Sequence, residues 1–158
     1  VDTSIRPALY VDIPYLAANM READKREIWA SSLASPEAAL ARSIEVSQFA
    51  WTGLIENRPV VMFGIGQVSI LGGGASAWLL GTQEIEKIPR LFLTESREWV
   101  RKMVDRYGRL FNYVDARNRQ TLRWLAFLGA DFGPARPYGM LGKPFVPFVI
   151  TRKEVANV

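Results

Sequence analysis

The chain has 158 residues, 49% hydrophobic and 23% charged, enough apolar material for one domain, residues 1–158, with its own core. It contains no cysteine and no histidine, which excludes disulfides, thiolate nucleophiles, histidine-dependent triads and Cys- or His-based zinc sites. Any catalysis would rest on Asp, Glu, Tyr, Lys or bound water, and no metal site is expected. A net charge of +4 permits weak nucleic-acid contact, although a solvated basic surface explains the same excess.

Thr3 to Ala8, TSIRPA, reads as a first strand with Pro7 near its end. Asp12 to Ser32 holds two apolar helical segments, the first with Asp12 as its cap and Pro14 in its opening turn. Ser35 caps a further helix that has Pro36 at its first position. Gln48 to Glu56 and Pro59 to Gln67 are two strands of a hairpin turned at Glu56-Asn57-Arg58. Gly64 and Gly66 inside the second strand indicate a bulge or close packing. Gly72-Gly73-Gly74 forms a turn, since no Lys-Ser/Thr follows and the next segment, Ser76 to Leu80, is a strand.

Glu84 to Lys87 is a polar loop or short turn, and Pro89 to Tyr107 a long helix with Leu91, Leu93, Trp99, Val100, Met103 and Val104 facing the core. Arg97, Arg101, Lys102, Arg106 and Arg109 give that region a basic side, with Glu95, Glu98 and Asp105 interleaved for internal ion pairs. Leu110 to Val114 is a buried strand. Asp115 to Asn118 offers acceptors for the next helix start, and Gly129 ends that helix. The last strand, PFVPFVITR, carries Pro147, which argues for an edge or a bulge. The longest apolar run, Pro59 to Leu71, is shorter than the roughly 18–20 residues of a membrane span, and the opening residues lack a basic-then-apolar leader.

The order β-α-α-β-β-β-α-β-α-β implies an α+β fold with a mixed, mostly antiparallel central sheet of about six or seven strands flanked by helices. This order resembles the GNAT acyltransferase superfamily. The opening IRPA strand and the run LFNYVDARNRQTLRWLAFLGADFG carry the resemblance: Asn118 falls on the superfamily's Asn and Gly129 on its closing Gly. Leu125 falls where the superfamily usually has Tyr, while Tyr107, Tyr113 and Tyr138 have no assigned role. Acyl-CoA users carry a Gln/Arg-x-x-Gly-x-Gly/Ala turn opening the long helix. There, glycines let backbone amides reach the pyrophosphate. This chain has Gly81-Thr82-Gln83-Glu84-Ile85-Glu86-Lys87-Ile88-Pro89-Arg90 instead. Glu84 and Glu86 would repel a diphosphate, with Lys87 and Arg90 as partial offsets. Were acetyl-CoA bound, the resemblance would place it on Leu80, Gly81, Thr82 and Asn118.

Glu56 and Asp115 could act as bases near strand ends, although a turn residue and a helix cap are the simpler readings. No catalytic residue is therefore assigned. WLLGTQEIEKIPRLFLTESREWVRKM and LFNYVDARNRQTLRWLAFLGADF also resemble a small protein of short-tailed podovirus bacteriophages, commonly labelled an internal virion protein with a GNAT-like fold. Leu110-Phe111-Asn112-Tyr113-Val114, Asn118 and Gly129-Ala130 carry that match. It implies a virion or assembly component that has kept the transferase scaffold and binds portal, tail or internal core proteins; Glu84, Glu86 and Leu125 lead to the expectation that it uses no cofactor. Such a protein would reside in the virion, and in the host cytoplasm during assembly. The alternative is an active acyl-CoA-dependent N-acyltransferase, whose target could be a host molecule. Five Trp and eight Phe, with the apolar segment Tyr138 to Phe148, lead to the expectation that part of the aromatic surface is covered by a partner.

Overall fold

The computed structural model describes residues 2–69 and 71–152. Strand β1 (Thr3–Pro7) leads through a short 3-10 turn into helices α1 (Ile13–Ala18), α2 (Glu22–Ser32) and α3 (Pro36–Val46). The hairpin β2 (Phe49–Ile55) and β3 (Arg58–Val68) follows, then β4 (Ala75–Gly81) and a 3-10 segment, Gln83–Lys87. Next come α4 (Pro89–Tyr107), β5 (Arg109–Asp115) and α5 (Arg119–Phe127). Three strands close the fold: β6 (Asp131–Phe132), β7 (Arg136–Tyr138) and β8 (Lys143–Thr151). The sheet runs β1-β2-β3-β4-β5-β8-β6, with β7 also paired to β8. Every pairing is antiparallel except β4 with β5. This is the mixed, mostly antiparallel α+β architecture expected from the element order.

Local chemistry explains where the elements begin and end. Glu56 and Asn57 both have positive φ, the geometry of a two-residue turn whose twist suits a hairpin. The Ser35 hydroxyl accepts the Ala38 N–H at the start of α3, and Asn118 Oδ1 accepts the Thr121 N–H at the start of α5. Gly129, at φ 90°, ends the α5 region.

Alternation along the strands divides the core. Met62 faces α1 and α3 with Leu16, Met20 and Leu40. Ile65, Leu110, Val114 and Ile150 face α4 and α5 with Val104, Leu125 and Leu128. Each fully buried side chain of this size contributes about 1.5–3 kcal/mol of transfer free energy. A Cβ on Gly64 would lie 2.4 Å from the Phe49 carbonyl oxygen, so β2 and β3 require glycine there. Gly66 lies in the stretch where the β3–β4 register shifts. Both interior glycines thus have the structural roles expected of them.

Four local expectations are corrected. Asp12 makes no side-chain cap on α1; it is buried and accepts from Arg6, Thr52 and the Leu9 N–H. Burial works to raise its pKa, but these three donors outweigh that effect and hold it below the usual carboxylate value. Among the described residues the sheet has eight strands, because β6 and β7 form a short, broken outer edge along β8. Pro147 is consequently on neither an edge strand nor a bulge, since β8 keeps continuous register with β5 from Thr151 to Phe145. Its carbonyl accepts the Gly133 N–H, so its missing N–H would face the break between β6 and β7, where no ladder bond is required. The basic side of α4 holds one ion pair within the helix, Glu98–Arg101, whereas Asp105 pairs with Arg152 beyond it. Among the described residues, no helix is long and apolar enough to cross a membrane.

Candidate functional site

The two parallel strands at the centre of the sheet separate after a short contact. β4 and β5 align only at Ala75–Leu110 and Ser76–Phe111. At the next residue of β5 the Asn112 carboxamide enters the gap. Its Nδ2 donates to the Ala77 carbonyl (2.8 Å), and its Oδ1 accepts the Tyr113 N–H (2.8 Å). A side-chain amide therefore satisfies one backbone group on each strand where the ladder stops. Beyond it lies a cavity of about 610 Å³ between α2–α3 on one face and α4–α5 on the other. Its α4–α5 side is lined largely by apolar groups, including Phe63, Leu79, Phe92, Trp99, Trp124 and Leu125.

α2 joins the separated strands at the far end of the cavity. The Asp24 carboxylate accepts the Gly81 N–H of β4 (2.9 Å), and Glu27, one turn later, accepts the Asp115 N–H of β5 (2.8 Å). Arg21 forms a two-point pair with Asp24 at 3.0 and 3.1 Å, and its own N–H donates to the Gly81 carbonyl. Burial raises the Asp24 pKa, with Arg21 and the Gly81 N–H opposing that effect. Burial also pushes Glu27 up to about 7; the Asp115 N–H opposes the rise, and Asp24 and Asp115 add to it by charge repulsion. Glu27 is thus poised to exchange a proton near neutrality.

After β4 comes a 3-10 turn, Gln83–Lys87, and the amides of Thr82 and Gln83 that lead into it are already bonded. The Thr82 N–H and hydroxyl both donate to the Val60 carbonyl, and the Gln83 N–H donates to the Asn19 carbonyl. Glu84 accepts from the Tyr15 hydroxyl (2.7 Å) and from Arg58 (2.9 Å), which holds its carboxyl below the usual value. Of the proposed cofactor contacts, Leu80 is half-buried beside the α1–α3 core, and Gly81 and Thr82 are buried with their N–H groups occupied. Asn118 caps α5 and is buried, and its side chain also acts on the Glu27 carboxyl, lowering its pKa.

Leu125 presents an apolar wall to the cavity where the superfamily resemblance places Tyr. Tyr113 lines the cavity; its hydroxyl accepts from Arg136 and its ring stacks on Tyr138. The Tyr107 hydroxyl bonds Gln48, away from the gap. Glu56 sits in the hairpin turn and accepts the Asp2 N–H, while Asp115 accepts from the Arg117 N–H and guanidinium. The sequence alone does not mark Asp24, Glu27 or Asn112 as site residues. The available signal was the Arg21-x-x-Asp24-x-x-Glu27 spacing, which puts three charged residues along one side of a helix.

Three solved structures share this architecture. A protein provisionally described as an acetyltransferase is 17% identical, with TM-score 0.77, covering 98% of this chain and 86% of that one. Spermidine N-acetyltransferase from Vibrio cholerae, in complex with CoA and spermine, is 9% identical, with TM-score 0.68 and 98% of each chain covered. Aminoglycoside acetyltransferase AAC(6')-Ib, in complex with coenzyme A, is 15% identical, with TM-score 0.68 and 99% of each chain covered. These likenesses establish the GNAT acyltransferase fold. Residues 58–135, just under half of the chain, match the sequence model of the family described as "Bacteriophage T7, probable scaffold protein Gp13". No curated protein matches.

Proposed function

We propose that this chain is a bacteriophage assembly protein that uses an acyltransferase scaffold to bind other virion proteins, rather than to transfer an acyl group. The observation carrying this reading is the match of residues 58–135 to the T7 scaffold-protein family, which spans β3 to β6. The bonding after β4 supports it. The N–H groups of Gly81, Thr82 and Gln83 have internal acceptors, and Glu84 lies in the segment that would have to receive phosphate. Rebuilding that segment around a diphosphate would sacrifice the buried Asp24 contact as well as the Val60 bonds. In this reading the partners are portal, tail or internal core proteins, and the protein is an internal virion component that passes through the host cytoplasm during assembly.

An acyl-CoA-dependent transferase is the second reading, favoured by the open cavity between β4 and β5. Quantitative mass spectrometry of purified particles tests the first; a constant copy number relative to portal is expected. A melting curve with millimolar acetyl-CoA tests the second. A ligand present at a hundred times its dissociation constant stabilises by roughly 2.7 kcal/mol, and the expected shift is far smaller. Absence from particles together with a large shift would reverse the two readings.

A further inference from the structure

The end of α2 and the loop after β7 form a structured apolar platform. The Met140 N–H donates to the Ser31 carbonyl, and the Leu141 N–H donates to the Ala30 carbonyl. Gly139 makes this docking possible: at φ 75°, a Cβ there would lie 2.6 Å from Ser31 Cα and 2.9 Å from its carbonyl oxygen. The bonds bring exposed Met140 (68%) and Leu141 (45%) beside the helix turn that carries exposed Trp29 (54%) and Leu33 (40%). Four large apolar residues thus remain open to solvent on backbone that is itself firmly bonded.

Leu33 is the most informative of them. It ends α2 in the left-handed region at φ 57°, ψ 27°, where glycine or asparagine is less costly than a residue with a bulky side chain. That residue keeps 40% of its surface exposed, so burial in this chain offsets the strain only in part. Strain retained at an exposed apolar residue points to a contact made outside the chain.

Charge narrows the choice of partner. Arg26 shares a side of α2 with Trp29 and Leu33, at spacings of three and seven residues, and Lys143 follows Leu141 by two. Both are exposed, and neither forms a salt bridge among the described residues. Symmetric pairing with the same face of a second copy would bring these like charges into one rim. We propose that Trp29, Leu33, Met140 and Leu141 dock an apolar segment flanked by acidic residues on another virion protein. The inference rests on the assembly reading above and identifies the surface that performs it.

The test is phage propagated with the altered chain, with copies per particle counted relative to portal. Met140→Glu and Lys143→Glu should each lower incorporation by about tenfold, the scale of a central interface contact. Leu33→Asn should lower it as well, while the isolated protein melts at or above the wild-type temperature because the helix end relaxes. Glu98→Ala on α4, outside the platform, should incorporate normally. Wild-type incorporation of the three platform variants would overturn this docking surface while leaving the assembly reading intact. Absence of the unaltered chain from particles would overturn both.

Discussion

Replacing Glu27 with Gln should stabilise the protein above about pH 4.5, and most at neutral to alkaline pH. In the folded chain burial pushes the Glu27 carboxyl up to about 7, against an ordinary value of 4.5. The folded state therefore retains a proton that the unfolded chain has already lost over that interval. Below about pH 4.5 both states are protonated and there is no penalty; stability falls as pH rises towards 7, and the penalty is complete above it. At about 1.36 kcal/mol per pH unit the full effect is on the order of 3 kcal/mol. Glu27 is only half-buried as a residue, so solvent screening reduces this to roughly 1–3 kcal/mol. The Gln oxygen can still accept the Asp115 N–H, which keeps the contact between α2 and β5. Urea unfolding followed by tryptophan fluorescence at pH 4.5, 6 and 8 measures the difference between variant and parent. Expected values rise from near zero at pH 4.5 to roughly 1–3 kcal/mol in favour of Gln at pH 8. A difference independent of pH, or a less stable variant at pH 8, would refute the assignment of a buried, proton-retaining carboxyl.

Asp12 should show the opposite sign. Its pKa is held below the ordinary value, so its stabilising contribution is present above about pH 4 and lost as pH falls through its folded value. Asp12→Asn should therefore lower stability at pH 7 but differ progressively less from the parent under acid; a constant gap in urea unfolding would contradict this. Gly64→Ala should cost about 1–3 kcal/mol or more in urea unfolding, because the new Cβ meets the β2 backbone at the Phe49 carbonyl and Ala50 Cα. Parent-like stability would mean that β2 and β3 separate more easily than described. Asn112→Ala should cost about 1–2 kcal/mol and speed hydrogen exchange at the Tyr113 amide, whose acceptor it removes. Unchanged exchange there would refute the bridging role of the Asn112 carboxamide.

Where a property depends on a few neighbouring residues, the sequence determined it. Ser35-Pro36 starts α3, Asn118 starts α5, Glu56-Asn57 turns the hairpin and Gly129 closes a helix, because caps and turns satisfy backbone groups within a few positions. Element order then led to the sheet class. The two-residue β6 and three-residue β7 were too short for any alternation to register.

The cavity's polar end depended on tertiary structure throughout. Asp24 meets Gly81 across 57 positions, and Glu27 meets Asp115 across 88. Asp12 looked like a cap until folding brought Arg6 and Thr52 to its carboxylate. Pro147 looked confined to an edge or a bulge until the break between β6 and β7 left its position without a ladder donor to supply. Spacing places side chains on a face of a helix or strand, but which backbone amide a buried carboxylate meets is settled only when α2 packs across two separated strands.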